Sequence, residues 1–146
     1  MIFNLRAATA DDIEFIYQLR LITMKRDFEN TFGWNEDEQR RRAADGIQNA
    51  KIIVVEQKDI GVIKLIPKSN ELHLHQMQIL PEYQGNGIGT ELVRRVLDRA
   101  EKLNMPVTLL VLKGAVAKCL YDRLGFYVTD EYENNYKMCW QPQNNL

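Results

Sequence analysis

The sequence predicts an α/β (α+β) fold for one domain spanning residues 1–146, with a mixed sheet of about six or seven strands and helices on both faces. Three observations support this fold class. The chain is long enough to bury one full core, no repeat or Pro/Gly-rich linker divides it, and β-branched runs alternate with amphipathic stretches. The predicted element order is βααβββαβαββ, in which strand–helix–strand connections favour parallel pairing.

The first part of the chain predicts one strand and two helices. "FNLRAA" has the composition of a strand, and "TADD" at residues 9–12 has the pattern of a capping box that starts a helix. A second cap at Asn35 predicts a polar helix that extends to about Asn49. The segment between these helices, "ENTFGW", predicts a loop that exposes Phe32 and Trp34.

The middle of the chain predicts three strands and then a helix. "KIIVVEQ" and "IGVIKLIP" have the pattern of a hairpin that turns at Lys58–Asp59, and "ELHLHQMQIL" has that of a third strand. A glycine-rich junction follows, and the apolar periodicity after it predicts a helix from Thr90 to Leu103. The apolar run "VTLLVL" then predicts a strand covered on both faces.

The last part predicts a helix and a hairpin. Apolar spacing indicates a helix from about Ala115 to Leu124, with Gly125 ending it in the left-handed conformation and Phe126 folding back in a Schellman-type contact. "FYVTD" and "YKMCW" predict a β-hairpin around "EYENN".

Composition and charge argue against several classes of protein. The net charge is −1, and the basic run Arg40–Arg42 lies among acidic residues, which favours a solvated helix face over a nucleic-acid interface. No signal peptide or membrane-spanning run is evident. Cys119 and Cys139 lack metal-ligand spacing, so we expect no metal, and two reduced thiols in a cytoplasmic protein.

The stretch "QILPEYQGNGIGTEL" at residues 78–92 places Gly85, Gly87 and Gly89 between a predicted strand and a predicted helix. Helix N-termini attract anions, and glycines let a phosphate approach the backbone, so the stretch favours phosphate binding over a plain flexible turn. The stretch does not match the dinucleotide-binding motif, because Thr90 occupies the position of its last glycine. It does not match the nucleoside-triphosphate-binding loop either, because no lysine follows the glycines.

Two segments resemble the GNAT N-acetyltransferase family. "ILPEYQGNGIG" is similar to the acyl-CoA loop of that family, with the pattern residues Gln84, Gly87 and Gly89. "AKCLYDRLGF" is similar to a later family segment, with the pattern residues Ala117, Leu120, Tyr121, Gly125 and Phe126. The element order agrees over essentially the whole chain. The resemblance implies a mostly antiparallel, twisted sheet and acetyl-CoA as the co-substrate.

The resemblance also implies a set of acetyl-CoA contacts. Backbone N–H groups of the loop would hold the pyrophosphate, from the residues Gln84, Gly85, Asn86, Gly87, Ile88, Gly89 and Thr90. The strand around Met77 and Ile79 would pair with the pantetheine arm, and an N–H near Ile79 would polarise the thioester carbonyl. The sequence departs from the family at Gly114, where many members carry an asparagine, so we expect one side-chain contact to the co-substrate to be absent.

Transfer to an amine requires a base and an acid. An amine with a pKa of about 10.4 is neutral in only about one molecule in 2,500 at pH 7, a penalty of about 4.6 kcal/mol. His73 and His75 share one face of the predicted strand, as does Glu71. Arylalkylamine N-acetyltransferases carry a similar His-x-His pair, and the resemblance ranks His75 before His73 and Glu71 as the base. It makes Tyr121 the acid for the leaving thiolate.

The acceptor site is expected to contain aromatic side chains. The resemblance places Phe32, Trp34, Tyr132 and Tyr136 near the acceptor, although anchoring in the core is an equal alternative for these aromatic residues. The expected activity is acetyl transfer to a primary amine of a small molecule or peptide, by a monomer or homodimer. The alternatives are a non-catalytic acyl-CoA-binding sensor and a nucleic-acid binder that uses Arg40–Arg42.

Overall fold

The computed structural model describes residues 1–143 and gives the predicted element order within them. The strands are β1 (Asn4–Ala7), β2 (Ala50–Val55), β3 (Lys58–Pro67), β4 (Leu72–Ile79), β5 (Val107–Leu112), β6 (Tyr127–Glu131) and β7 (Asn135–Trp140). The α-helices are α1 (Ile13–Glu29), α2 (Glu36–Ala44), α3 (Ile88–Leu103) and α4 (Ala117–Arg123). The order βααβββαβαββ is therefore confirmed.

The strands form a seven-stranded mixed sheet in the order β1-β2-β3-β4-β5-β7-β6. Antiparallel pairing joins β1 to β2, β2 to β3, β5 to β7 and β6 to β7. Strand β4 pairs in parallel with β5, in the register Leu72 opposite Val107 and His73 opposite Thr108. The predicted α/β class with a mostly antiparallel sheet is confirmed.

By its internal contacts the chain divides into two compact units, so the single-domain organisation stays a prediction. The first unit contains Met1–Leu65 and Gln76–Gly89, and it therefore holds α1, α2 and the loop before α3. Its core joins apolar residues of α1, α2, β2 and β3, namely Ile16, Tyr17, Leu19, Ala43, Ala50, Ile52 and Val62.

The second unit contains Ile66–His75 and the chain from Thr90 onward. Its buried apolar side chains come from most of its elements: Val93, Val96, Leu97 and Ala100 on α3, Val107, Leu109 and Val111 on β5, Tyr121 on α4, and Met138 on β7. The prediction that β5 is covered on both faces is wrong at Leu110, which is 56% exposed.

Two boundaries in the first unit differ from the predictions. The β2–β3 hairpin turns at Glu56 and Gln57, not at Lys58–Asp59, because both turn residues adopt positive φ (49° and 68°). Two successive left-handed residues match the right-handed twist of the flanking strands. Helix α2 ends at Ala44 and not near Asn49.

Lys64 explains where α2 ends. Its side chain is fully buried, and its ammonium donates to the carbonyl oxygens of Arg42 (3.2 Å), Ala43 (2.9 Å) and Asp45 (2.6 Å). The last carbonyls of a helix have no partner inside it, and a cation there also interacts favourably with the helix dipole. Gly46, with φ of 73°, then turns the chain away.

The helix ends in the second unit agree better with the predictions. Helix α3 ends at Leu103 as predicted, although it begins at Ile88 rather than Thr90. Both Schellman hydrogen bonds close α4, since Phe126 N donates to Tyr121 O (3.1 Å) and Gly125 N donates to Asp122 O (3.3 Å). Gly125 has φ of 96°, which confirms its predicted left-handed conformation.

Candidate functional site

The loop before α3 is open around its glycines. Gly85 and Gly87 have φ of 78° and 82°, and a Cβ added to either one would meet no atom within 4 Å. Helix α3 begins directly afterwards at Ile88, and the first N–H groups of a helix have no partner inside it. The loop therefore presents a bare backbone next to the positive end of a helix, an arrangement that fits a phosphate group.

Gln84 supports this loop in a way that the sequence did not reveal. Its backbone N–H donates to the Pro81 carbonyl (3.1 Å), which closes a short 3₁₀ turn. Its side-chain Nε2 donates to the Ile79 carbonyl at the end of β4 (2.9 Å). Gln84 thus ties the loop to the strand before it, and its own backbone N–H is already engaged.

Gly61 on β3 allows the backbone of this strand to lie close to the end of β4. A Cβ at this position would lie 2.6 Å from the carbonyl oxygen of Gln78 and 3.3 Å from the Cα of Ile79. The backbone of Ile60 also accepts a hydrogen bond from Leu80 N (2.8 Å). Sequence reasoning missed Gly61, although an isolated glycine inside a strand is a known signal of close backbone approach.

The second unit contains a hydrogen-bonded cluster of polar side chains at the start of β4. The Thr108 hydroxyl on β5 donates to the Glu71 carboxylate and lies 2.9 Å from Nδ1 of His73. The rings of His73 and His75 have centroids 5.7 Å apart, so the two histidines do share one face of the strand. The structure thus places Glu71, His73 and His75 near one another and adds Thr108.

Burial lowers the pKa of His73 below its usual value of 6.5, and the neighbouring Lys68 lowers it further. His75 and Lys137 act in the same direction, while the Glu71 carboxylate opposes them. At neutral pH the imidazole of His73 is therefore mostly uncharged. An uncharged imidazole can accept a proton.

Tyr121, the predicted acid, is packed in a buried position on α4. Its side chain is only 7% exposed, and its ring contacts that of Phe126 with centroids 5.5 Å apart. Its backbone carbonyl accepts the Schellman hydrogen bond from Phe126. Burial raises the pKa of the phenol to about 12, so it carries its proton throughout the physiological range.

The aromatic residues proposed for the acceptor differ in their surroundings. Trp34 is half-buried and packs against the core of the first unit, with its ring 6.0 Å from that of Phe28. Phe32 is 54% exposed and contacts the ring of Phe28 (5.5 Å). In the second unit, Tyr132 is exposed and Tyr136 is half-buried. Trp34 therefore has an anchoring contact, and Phe32 presents more surface to solvent.

The basic run Arg40–Arg42 is paired with acidic side chains, and the two cysteines are unbridged. Arg40 pairs with Glu14 and Glu36, while Arg41 and Arg42 both pair with Glu38. Both cysteines are free thiols, Cys119 exposed and Cys139 buried. Residues 1–143 contain no group of three His, Cys, Asp or Glu side chains that could hold a metal ion. In the same range, no helix combines the length and the apolar character needed to cross a bilayer.

Comparison with solved structures shows the same fold in several acetyltransferases. PaiA N-acetyltransferase from Thermoplasma acidophilum, in complex with coenzyme A, is 17% identical, with 97% of this chain and 99% of that chain covered and a TM-score of 0.75. A GNAT-family acetyltransferase from Staphylococcus aureus is 18% identical (96% and 99% covered, TM-score 0.75). A ribosomal-protein-alanine N-acetyltransferase from Escherichia coli is 20% identical (99% and 99% covered, TM-score 0.70).

The sequence itself matches a family model over most of its length. No curated protein matches the chain. The model described as "Acetyltransferase (GNAT) domain" matches residues 20–142. The chain belongs to the GNAT acetyltransferase family.

Proposed function

We propose that this protein transfers an acetyl group from acetyl-CoA directly to a primary amine of a small molecule or peptide. The observation that carries the proposal is the open turn at Gly85 and Gly87 ahead of α3, in a chain that belongs to an acetyltransferase family. A structural neighbour holds coenzyme A, and another is named for acetylating an alanine of a ribosomal protein. These names support the choice of co-substrate and the inclusion of peptides among the acceptors.

The loop residues would bind the pyrophosphate through backbone N–H groups. Because the Gln84 N–H already donates to Pro81, we take the phosphate donors to begin at the next residue. The donors are then Gly85, Asn86, Gly87, Ile88, Gly89 and Thr90. Gln84 would instead hold the end of β4 in place through its side chain.

Backbone and side chains elsewhere would serve the chemical step. Bound acetyl-CoA supplies a thioester whose C–S bond is exchanged for a C–N bond to the acceptor. The β4 backbone around Met77 and Ile79 would align the pantetheine arm, with an N–H near Ile79 donating to the thioester carbonyl. Tyr121 holds a proton on its phenol oxygen throughout the physiological pH range and would donate it to the departing sulfur as the C–S bond breaks.

The base belongs to the cluster of Glu71, His73 and His75, which supplies an uncharged imidazole at neutral pH. Phe32 and Trp34 would contact the acceptor, and the exposed Phe32 ring is the better placed for this role. We also propose a reducing, cytoplasmic location, which the two free cysteines support.

The alternative function is a non-catalytic acyl-CoA sensor. The observation that favours it is Gly114, which replaces the asparagine of many family members and has open space around it. Such a sensor would bind acetyl-CoA without releasing free thiol. Tyr121 and the two histidines would then have no role in chemistry.

A thiol-release assay with acetyl-CoA tests the proposed function against a panel of small amines, amino acids and peptides. Release that depends on an amine supports the enzyme, and binding without release over the whole panel supports the sensor. Thermal unfolding adds a binding readout. Acetyl-CoA at a hundredfold excess over its dissociation constant should stabilise the protein by about 2.7 kcal/mol.

Two glycine variants provide a matched pair for the binding readout. Gly87→Val should lose most of the stabilisation by acetyl-CoA, because its side chain would occupy the space left for the phosphate. Gly33→Val is the control, since Gly33 also has positive φ (79°) and open space but lies outside the loop. If the unmutated protein shows no thermal shift with CoA or acetyl-CoA, the proposed role of the loop is wrong.

A further inference from the structure

We propose that Thr108 is a positioning residue that orients His73 so that its Nε2 atom takes the proton from the acceptor amine. This inference rests on the proposed function and narrows its choice of base. It also assigns Glu71 an indirect role, as the group that holds the Thr108 hydroxyl and not as the base itself.

Strand pairing brings these three side chains together. His73 and Thr108 lie opposite each other in the parallel β4–β5 pair, where the Thr108 hydroxyl is 2.9 Å from Nδ1 of His73. Thr108 is only 6% exposed, so water does not readily replace this contact. A turn in which Lys68 N donates to the Glu71 backbone carbonyl (2.9 Å) places Glu71 directly before β4.

The direction of the hydrogen bonds determines the tautomer of His73. A carboxylate only accepts hydrogen bonds, so the single hydroxyl proton of Thr108 goes to Glu71. The hydroxyl oxygen can then only accept at its other contact, which requires a proton on Nδ1 of His73. A neutral imidazole with its proton on Nδ1 carries its lone pair on Nε2.

Most of the groups around His73 favour its neutral form, and Glu71 alone favours the charged form. Burial, Lys68, His75 and Lys137 lower its pKa, and only the Glu71 carboxylate raises it. On the far side of β5, Cys139 of β7 lies opposite Thr108, and burial raises the pKa of its thiol, so it stays uncharged at neutral pH. Glu71 is thus the one anion among these groups, and its link through Thr108 would stabilise the imidazolium once the proton arrives.

The proton transfer balances with the proposed reaction. The amine lone pair forms the C–N bond, and the amine proton moves to Nε2 of His73. The electron pair of the breaking C–S bond leaves with the sulfur, which takes a proton from the Tyr121 phenol. The imidazolium of His73 and the phenolate of Tyr121 then return to their starting states by exchange with water.

Thr108→Val tests the proposal because valine keeps the shape of threonine and removes the hydroxyl. We expect the single-turnover rate to fall by about 10- to 100-fold, less than the range of about 10²–10⁴ that a general base itself contributes. We also expect the pKa of His73 to fall further, since its link to the Glu71 carboxylate is lost. Thr108→Ser should restore both properties, and Thr129→Val on the exposed strand β6 should change neither.

The tautomer of His73, read from its two-bond ¹H–¹⁵N spectrum, provides a measurement independent of activity. The unmutated protein should carry the proton on Nδ1. A proton on Nε2 would overturn the proposal even if the valine variant failed to fold. Transfer activity with unchanged rate and pH profile in Thr108→Val would also overturn it. Failure of the proposed function is a different result, namely no thiol release by the unmutated protein with any amine.

Discussion

Two polar clusters of this protein, one around Lys64 and one around His73, differ in how completely their hydrogen bonds are used. Lys64 on β3 is fully buried, and the three hydrogens of its ammonium meet three backbone carbonyls. His73 on β4 is half-buried and is linked to Thr108 through one ring nitrogen. Both groups have a pKa below the usual value, and burial is the largest cause in each case.

The difference shows why a perturbed pKa does not by itself identify a functional residue. A buried ammonium whose donors are all engaged stabilises the segment that supplies its acceptors, here the end of α2. An imidazole fixed at one nitrogen keeps a lone pair at the other for a ligand. The comparison therefore predicts that substitutions at Lys64 alter stability and that substitutions around His73 alter chemistry.

The largest effect on stability is expected for Lys64→Met. Methionine keeps the apolar stem but leaves the carbonyls of Arg42, Ala43 and Asp45 without their donor, so we expect a loss of about 2–4 kcal/mol in the free energy of unfolding. Urea denaturation measures this loss. Lys51→Met, at an exposed position of β2, is the control and should stay within about 0.5 kcal/mol of the parent. Equal stability of the two variants would contradict the structural role of Lys64.

Tyr121→Phe should affect chemistry and leave binding almost unchanged. Removal of the phenol proton should lower the single-turnover rate by about 10²-fold, within the range for a general acid. Acetyl-CoA affinity should stay the same, because the ring still packs against Phe126. Tyr127→Phe on β6 is the matched control and should retain the parent rate. A Tyr121→Phe rate equal to that of the parent would reduce Tyr121 to a packing residue.

A smaller effect concerns the pH dependence of stability. Burial, with a further contribution from Arg20, lowers the pKa of Lys64 from 10.5 to about 8. Between these two values the unfolded chain binds the proton and the folded protein does not, so stability from this group rises with pH over that window. The difference in unfolding free energy between the parent and Lys64→Met should grow by about 2 kcal/mol from pH 7.5 to pH 10. A constant difference would show that Lys64 stays charged when buried.

Features set by neighbouring residues were predictable from the sequence. The apolar run of β5 has the predicted bounds, and the end of α4 follows from Gly125 because only local backbone geometry is involved. The same holds for the caps at Asn35 and at residues 9–12, where Glu38 N donates to the Asn35 side chain and Thr9 N to that of Asp12. The loop before α3 was also predictable, because its glycines are close together in the sequence.

Features that depend on contacts between distant segments were not predictable in this way. The early end of α2 depends on Lys64, which lies on another element, and the role of Thr108 depends on its pairing with His73 across the parallel strands. A polar residue inside the apolar run "VTLLVL" was the available signal for Thr108, but it does not indicate a partner. The turn at Glu56–Gln57 was missed because neither residue is a usual choice for positive φ.

The proton-transfer role of the β4 cluster can be tested most directly with two histidine variants and one amine of low pKa. Such an amine is already neutral, so the pH dependence of the rate should reflect the protonation of the base and not that of the amine. For the parent we expect the rate to rise with pH through an inflection below 6.5, where His73 loses its proton, and to stay level above it. His73→Ala should lose this inflection and most of the rate, whereas His75→Ala should keep the inflection. An unchanged profile in His73→Ala, or loss of the inflection only in His75→Ala, would contradict the account.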